Sequence, residues 1–206
     1  MIYSHAMDST IKKIEEDDLR EQILLAARER FTHYGYGKTT MVELAQDCEC
    51  SAANLYRYFS SKQDIAAAVC QQCMDERVDA LRAIVRQQGL SAAERLRAYV
   101  LAGIEINRER DNGPKINELV AHILEQRQDL VHLRIQTQTS LVAEILSYGN
   151  ETGEFEVDDV ITTARSVFAS LTLFEVPIFQ PLYSEEEFEG IAHSTVDLLL
   201  KGLAKR

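Results

Sequence analysis

The chain has 206 residues, 46% of them apolar and 27% charged, with nine glycines and three prolines. That is enough apolar material for a real core, and Leu, Ala, Glu, Arg and Gln dominate, so an all-α fold is expected rather than a sheet-based one. A formal net charge of −11 argues against a protein that coats nucleic acid by bulk electrostatics. No apolar run approaches the roughly 18 to 20 residues of a membrane span. The start, with His5, Lys12, Lys13 and Glu15, lacks a secretory hydrophobic segment, so a cytoplasmic location is expected.

Residues 1–16 are expected to form an N-terminal arm that can flex. From Asp17 to Tyr34, Leu19, Ile23, Ala26, Ala27 and Phe31 recur at helical spacing, Asp17 and Asp18 suit the N-terminal end, and Gly35 stops the helix. Thr39 or Thr40 caps a second helix under three turns long, with Met41, Leu44, Ala45 and Cys48 as its inward stripe. Ser51 opens a third, in which Leu55 and Phe59 are inward anchors four residues apart. An uninterrupted helical pattern then runs from Lys62 to about Gln88, and Gly89 ends it. Ser91 and Glu94 have the spacing of a capping box for a helix reaching about Arg110, where Asp111, Asn112, Gly113 and Pro114 break the chain. Further helices are expected over 115–126, 128–148, 157–175 and 185–203, the seventh closed by Gly149, Asn150 and Gly153.

The stretch from Thr39 to Lys62 therefore reads as two short capped helices joined by a tight turn. The second is rich in groups that bond phosphate, the way a helix-turn-helix protein presents its recognition helix to the major groove. Phe31 and Gly35, then Thr39 and Thr40, Glu43, Leu44 and Ala45, Ser51, Leu55, Tyr56, Phe59, Lys62, Asp64 and Ile65 together resemble the DNA-binding domain of the TetR family of transcriptional repressors. The resemblance covers residues 17–65. It implies that Thr40 and neighbouring amides hold phosphate, that Ala52, Ala53, Asn54, Tyr56 and Arg57 face the groove and its walls, and that Lys62 grips a phosphate. Lys38, Thr39, Ser51 and Tyr58 complete the candidate DNA contacts. Chemistry supports those roles: helix N-termini donate to anions, Asn can pair with adenine, Arg with guanine or phosphate. One position departs from the family, which usually has Gly in the turn where this chain has Glu49; a left-handed backbone there costs a non-Gly residue about 1 kcal/mol.

Residues 66–206 have too many apolar stripes to be a linker, and by the same resemblance they form an effector-binding and dimerisation domain. Arg134 is the odd member of a stripe with Leu130, Thr137, Leu141, Ile145 and Tyr148, either snorkelling to the surface or paired, and in such an effector domain an anionic ligand is the candidate partner. Tyr99, Asn107, His122, Gln138 and Phe168 are the other candidate ligand contacts. The last two helical patterns are apolar enough to form a homodimer interface. Cys48, Cys50, Cys70 and Cys73 read first as small packing residues, with redox sensing and zinc as lesser alternatives. No metal site, cofactor or catalytic constellation is expected: there is no Gly-rich phosphate loop, nucleophile elbow or His-Glu-x-x-His helix. The expected protein is a homodimeric repressor that binds a double-stranded operator, is released by a small-molecule effector and has no enzyme activity. The rival is a helical protein-interaction module of the same shape without operator binding.

Overall fold

The computed structural model describes residues 2–109 and 114–205, with the backbone alone for residues 2–17, Glu109, Pro114 and Pro177. The helices are α1 (Ile2–His33), α2 (Met41–Asp47), α3 (Ala52–Tyr58), α4 (Lys62–Val85) and α5 (Ala92–Glu109). They continue as α6 (Pro114–Gln126), α7 (Gln128–Thr152), α8 (Val160–Ser170), α9 (Thr172–Glu175) and α10 (Glu185–Leu203), with a 3-10 turn over Pro177–Leu182. An isolated bridge pairs Phe155 with Ala204. The chain divides into two compact units, Met1–Gln72 with Gly113–Arg127, and Cys73–Asn112 with Gln128–Arg206.

In the first unit α1 packs on α2 and on α6, and α2 packs on α3. Ile23, Ala27 and Phe31 of α1 are fully buried, as are Leu44, Leu55 and Ile65. Helices of seven residues are marginal on their own, so α2 and α3 depend on this burial, at about 1.5–3 kcal/mol for a Leu or Phe side chain, and on their caps. Of the expected α2 stripe, Leu44 and Ala45 are buried while Met41 and Cys48 are half-buried.

Helix boundaries depart from the residue signals most at three places. The helix expected from Asp17 begins at Ile2, because no Gly or Pro interrupts residues 2–34. The helix expected to close at Gly149 and Asn150 instead continues to Thr152 and stops before Gly153, whose φ is +76°. Gly149 serves packing: a Cβ there would lie 2.1 Å from the Phe155 ring. Asn150 ties down the following loop, its side chain donating to the Val157 carbonyl (2.7 Å) and accepting from the Val157 amide (3.0 Å). The helix expected over 157–175 is split at Leu171 into α8 and α9.

In the second unit α5 packs against α7, α9 and α10, and α7 against α8. Its core gathers Leu81, Leu96, Tyr99, Val142, Ile145, Leu146 and Leu171 with Phe174, Phe188 and Ala192. The α5 cap is the one the sequence indicates, Ser91 and Glu94 bonding reciprocally, and Ser184 and Glu187 form the same box at the start of α10.

Candidate functional site

The geometry of the first unit starts from its caps. Thr40 accepts from the Glu43 amide (3.3 Å), and the Thr40 amide donates to the Glu43 carboxylate (2.8 Å). Ser51 Oγ accepts from the Asn54 amide (3.1 Å) and opens α3. In the turn between, the Cys50 amide donates to the Ala45 carbonyl (2.9 Å), and Glu49 stands at φ +50°, alone among the described non-glycine residues in having positive φ. The left-handed conformation usually given to Gly is thus adopted by Glu49.

Leu55 and Phe59 fix which side of α3 is inward. That leaves Ala53, Tyr56 and Arg57, at relative spacings of three and four, on an exposed face, with Ala52, Asn54 and Tyr58 half-buried at its edges. Arg57 donates to the Asn54 carboxamide (3.4 Å). Lys38 and Thr40 are exposed at the start of α2. The local charge is more favourable to an anion than the count of residues 35–62 alone indicates, because Arg30 of α1 pairs with both Glu43 (3.3 Å) and Asp47. Those contacts hold the Glu43 carboxyl below its usual range, its bonds to Thr40 first and Arg30 after them.

Two expected DNA contacts are otherwise engaged. Thr39 is buried, and its hydroxyl donates to the Gly35 carbonyl (2.9 Å), so it braces the loop after α1. Lys62 donates to the carbonyls of Tyr36 (2.7 Å) and Thr39 (2.8 Å) and lies 4.3 Å from the centre of the Tyr36 ring. Burial lowers its pKa, with Glu118 and Glu43 acting in the opposite direction. Its ammonium holds the chain that leads into Thr40.

The residue spacing gave no hint that α6 joins this unit. Lys115 donates to the His33 carbonyl, the Gly37 amide donates to Glu118 (2.8 Å), and His122 stacks on Tyr36 with ring centres 4.3 Å apart. The available clue was the Gly-Tyr-Gly of residues 35–37: a Cβ at Gly35 or Gly37 would lie 2.9 or 2.6 Å from a Glu118 carboxylate oxygen. His122 was a ligand candidate; it belongs instead to the unit that carries α2 and α3.

In the second unit four of the six ligand candidates, Tyr99, Asn107, Arg134 and Gln138, fall into two hydrogen-bonded groups. Tyr99, fully buried, donates to Gln138 (2.6 Å), and burial raises its pKa well above the usual phenol value. Arg77, missed in the sequence because it reads as an ordinary helix charge, is 3% exposed. It donates to Glu175 (2.8 Å), to Asn107 Oδ1 (2.8 Å) and to the Gly103 carbonyl (2.8 Å). Asn107 donates to the Phe174 carbonyl (3.1 Å), and Arg134 donates to the Glu175 carbonyl and lies 3.4 Å from its carboxylate. Phe168 packs in the hydrophobic core.

α10 has two faces. Phe188, Ala192, Val196 and Leu203 are buried, whereas Ile191, Ser194, Thr195 and Leu198 line an open groove of about 500 Å³ with Tyr183, Glu187 and Gly190. Leu198 is 71% exposed, and Ile161 of α8 is 57% exposed. All four cysteines are half-buried thiols outside any disulfide; burial pushes the Cys48 thiol up to about 11, so it carries little thiolate near neutrality. Among the described residues no three His, Cys, Asp or Glu side chains gather as a metal site, and no helix is long and apolar enough to cross a membrane.

Comparison with known proteins places this arrangement. Residues 23–69 match the family model described as bacterial regulatory proteins, tetR family, and residues 92–194 match the tetracyclin repressor-like C-terminal domain. The chain belongs to the TetR family, a family of transcriptional regulators. It is 37% identical over 90 residues to the HTH-type transcriptional activator FasR of Mycolicibacterium smegmatis, a match that spans 44% of this chain and 41% of FasR. It is 27% identical over 202 residues to the HTH-type transcriptional regulator YfiR of Bacillus subtilis, spanning 91% of this chain and 93% of YfiR. Among solved structures it is similar in fold to SmeT, the repressor of the Stenotrophomonas maltophilia multidrug efflux pump SmeDEF, in its complex with triclosan. That match has a TM-score of 0.66 at 18% identity and covers 91% of this chain and 92% of that one.

Proposed function

We propose that the chain is a sequence-specific DNA-binding transcriptional repressor, released from its operator by a small molecule, acting as a homodimer in the cytoplasm and without enzyme activity of its own. Residues 17–65, braced by α6, read the operator, and the unit of Cys73–Asn112 with Gln128–Arg206 holds the effector and the dimer contact. The observation that carries the reading is the outward face of α3, where Ala53, Tyr56 and Arg57 stand exposed above buried Leu55 on a Ser51-capped helix. Arg57 and Asn54 read base edges, the two alanines contact thymine methyl groups, and Lys38, the first-turn amides of α2 and α3 that the caps leave available, and the hydroxyls of Tyr56 and Tyr58 hold phosphates. Lys62 and Thr39 support this surface from behind.

Dimerisation through the exposed faces of α8 and α10 places two reading helices about 34–36 Å apart, one turn of duplex, or a multiple of it. The effector unit has a precedent of fold in SmeT, which is described with triclosan bound. Linkage then requires that an effector which weakens DNA binding be itself weakened by DNA. FasR is named as an activator, so a reporter driven from the bound promoter decides the sign of regulation.

The test is a mobility shift with the duplex upstream of the protein's own gene, across a salt series. Wild-type protein is expected to shift it specifically with a steep salt slope. Arg57→Ala and Asn54→Ala are each expected to weaken specific binding by about 1–3 kcal/mol. Unchanged affinity in both variants overturns the site. Absence of any specific shift, on this duplex or on genomic fragments, favours the protein-interaction reading.

A further inference from the structure

Resting on the reading of the second unit as an effector domain, we infer that its polar cluster is a binding site for a monocarboxylate with an apolar body, taken up against Arg134. The argument is a count of charge. Arg77 and Arg134 carry two guanidinium groups, which stay protonated in proteins, and both turn to the single carboxylate of Glu175. The remaining groups are neutral: the Gly103, Phe174 and Glu175 carbonyls, the Asn107 carboxamide, and a Tyr99 phenol that burial keeps protonated. Among the described residues the cluster therefore holds one surplus positive charge, in a region where Arg77, Asn107, Gln138, Tyr99 and Glu175 are all buried. A buried cation without a counter-charge is costly, and burial already pushes the Arg134 guanidinium down from its ordinary value.

The cluster also has unmet donors. Arg77 Nε is buried with no acceptor among the described residues. Arg134 uses Nη2 for both of its contacts with Glu175, and 23% of its side-chain surface stays open, so it is the cation that a solute can reach. Gly103 lets the Arg77 guanidinium lie close against the α5 backbone, since a Cβ there would stand 2.8 Å from Arg77 Nη2. One negative charge neutralises the cluster. A phosphate dianion overshoots it, and a neutral or cationic ligand leaves the surplus in place. Leu130 and Leu141, buried on the same helix as Arg134, supply apolar surroundings for the rest of the molecule.

Thermal unfolding of the full-length protein tests this, with acetate through decanoate, benzoate and phenylacetate each set against its primary amide. At least one carboxylate is expected to raise the melting temperature at millimolar concentration while its amide does not. Arg134→Met is expected to lose that response. Without any carboxylate, Arg134→Met is also expected to melt about 2–4 °C above wild type, because the surplus charge is gone. Arg86→Ala, which removes a surface partner of Glu144 in the same unit, is expected to keep the response. The inference is overturned if no carboxylate shifts the transition, if amides shift it equally, if the response survives in Arg134→Met, or if that variant melts below wild type without ligand. Operator binding measured in parallel separates the two readings. Carboxylate binding without any DNA binding leaves the site and removes the repressor. Operator release by neutral or cationic compounds alone leaves the repressor and removes the site.

Discussion

Glu49 shows how a single backbone angle is set by its surroundings rather than by its side chain. At φ +50° it pays the left-handed penalty that glycine escapes, held there by the hydrogen bond from the Cys50 amide to the Ala45 carbonyl and by the start of α3 immediately beyond. Glu49→Gly is expected to stabilise the protein by about 1 kcal/mol in chemical denaturation, partly offset by the added freedom of glycine in the unfolded chain. A lower midpoint in that variant shows that the Glu49 side chain contributes something the backbone argument omits. At this scale the sequence carried the identities of the α3 face but not their neighbours. The outward place of Arg57 and the edge place of Asn54 were legible because Leu55 and Phe59 fix the inward side. Thr39 and Lys62 were not, because their partners are carbonyls of a loop whose path no periodicity describes. Arg77 looks like any helix charge until Glu175, 98 residues on, is brought to it.

Among the elements, capping carboxylates repeat. Glu43, Asp64, Glu94, Asp159 and Glu187 are each held below the usual carboxylate range, chiefly by hydrogen bonds from the hydroxyl or amide groups that open their helices. A carboxyl whose pKa is depressed by folding takes up its proton at lower pH in the native state than in the unfolded chain. The stability it contributes is complete above the unfolded value of about 4 and is lost as pH falls through the lower, folded value. The melting temperature is therefore expected to fall from pH 5 toward pH 3, and Glu43→Gln with Glu187→Gln is expected to flatten that slope; an unchanged slope refutes the assignment. Caps were the most readable part of the chain, since Ser-x-x-Glu and Thr-x-x-Glu are local. Gly149 was misread for the opposite reason: a glycine in a helix required by the distant Phe155 ring looks the same, in one dimension, as a glycine that ends it.

For the molecule as a whole, α8 and α10 leave Ile161, Ile191 and Leu198 exposed, more apolar surface than a lone domain needs. Leu198→Arg is expected to shift the protein from dimer to monomer in sedimentation or light scattering, and to lower operator affinity, since one reading head makes half the contacts. A dimer that persists in that variant moves the interface elsewhere.

The grip of Lys115, Glu118 and His122 on residues 33–37 has a bearing on modularity. A reading head is usually imagined as a cassette cut from the front of a gene and fused to any sensor. Here the cassette is discontinuous. A chimaera transplanting only residues 1–72 leaves the Gly37 amide without its carboxylate and the Tyr36 ring without its imidazole lid. Recombination between relatives of this protein therefore succeeds most readily when the parents share the helix over Pro114–Gln126, so that a segment from mid-chain travels with the front.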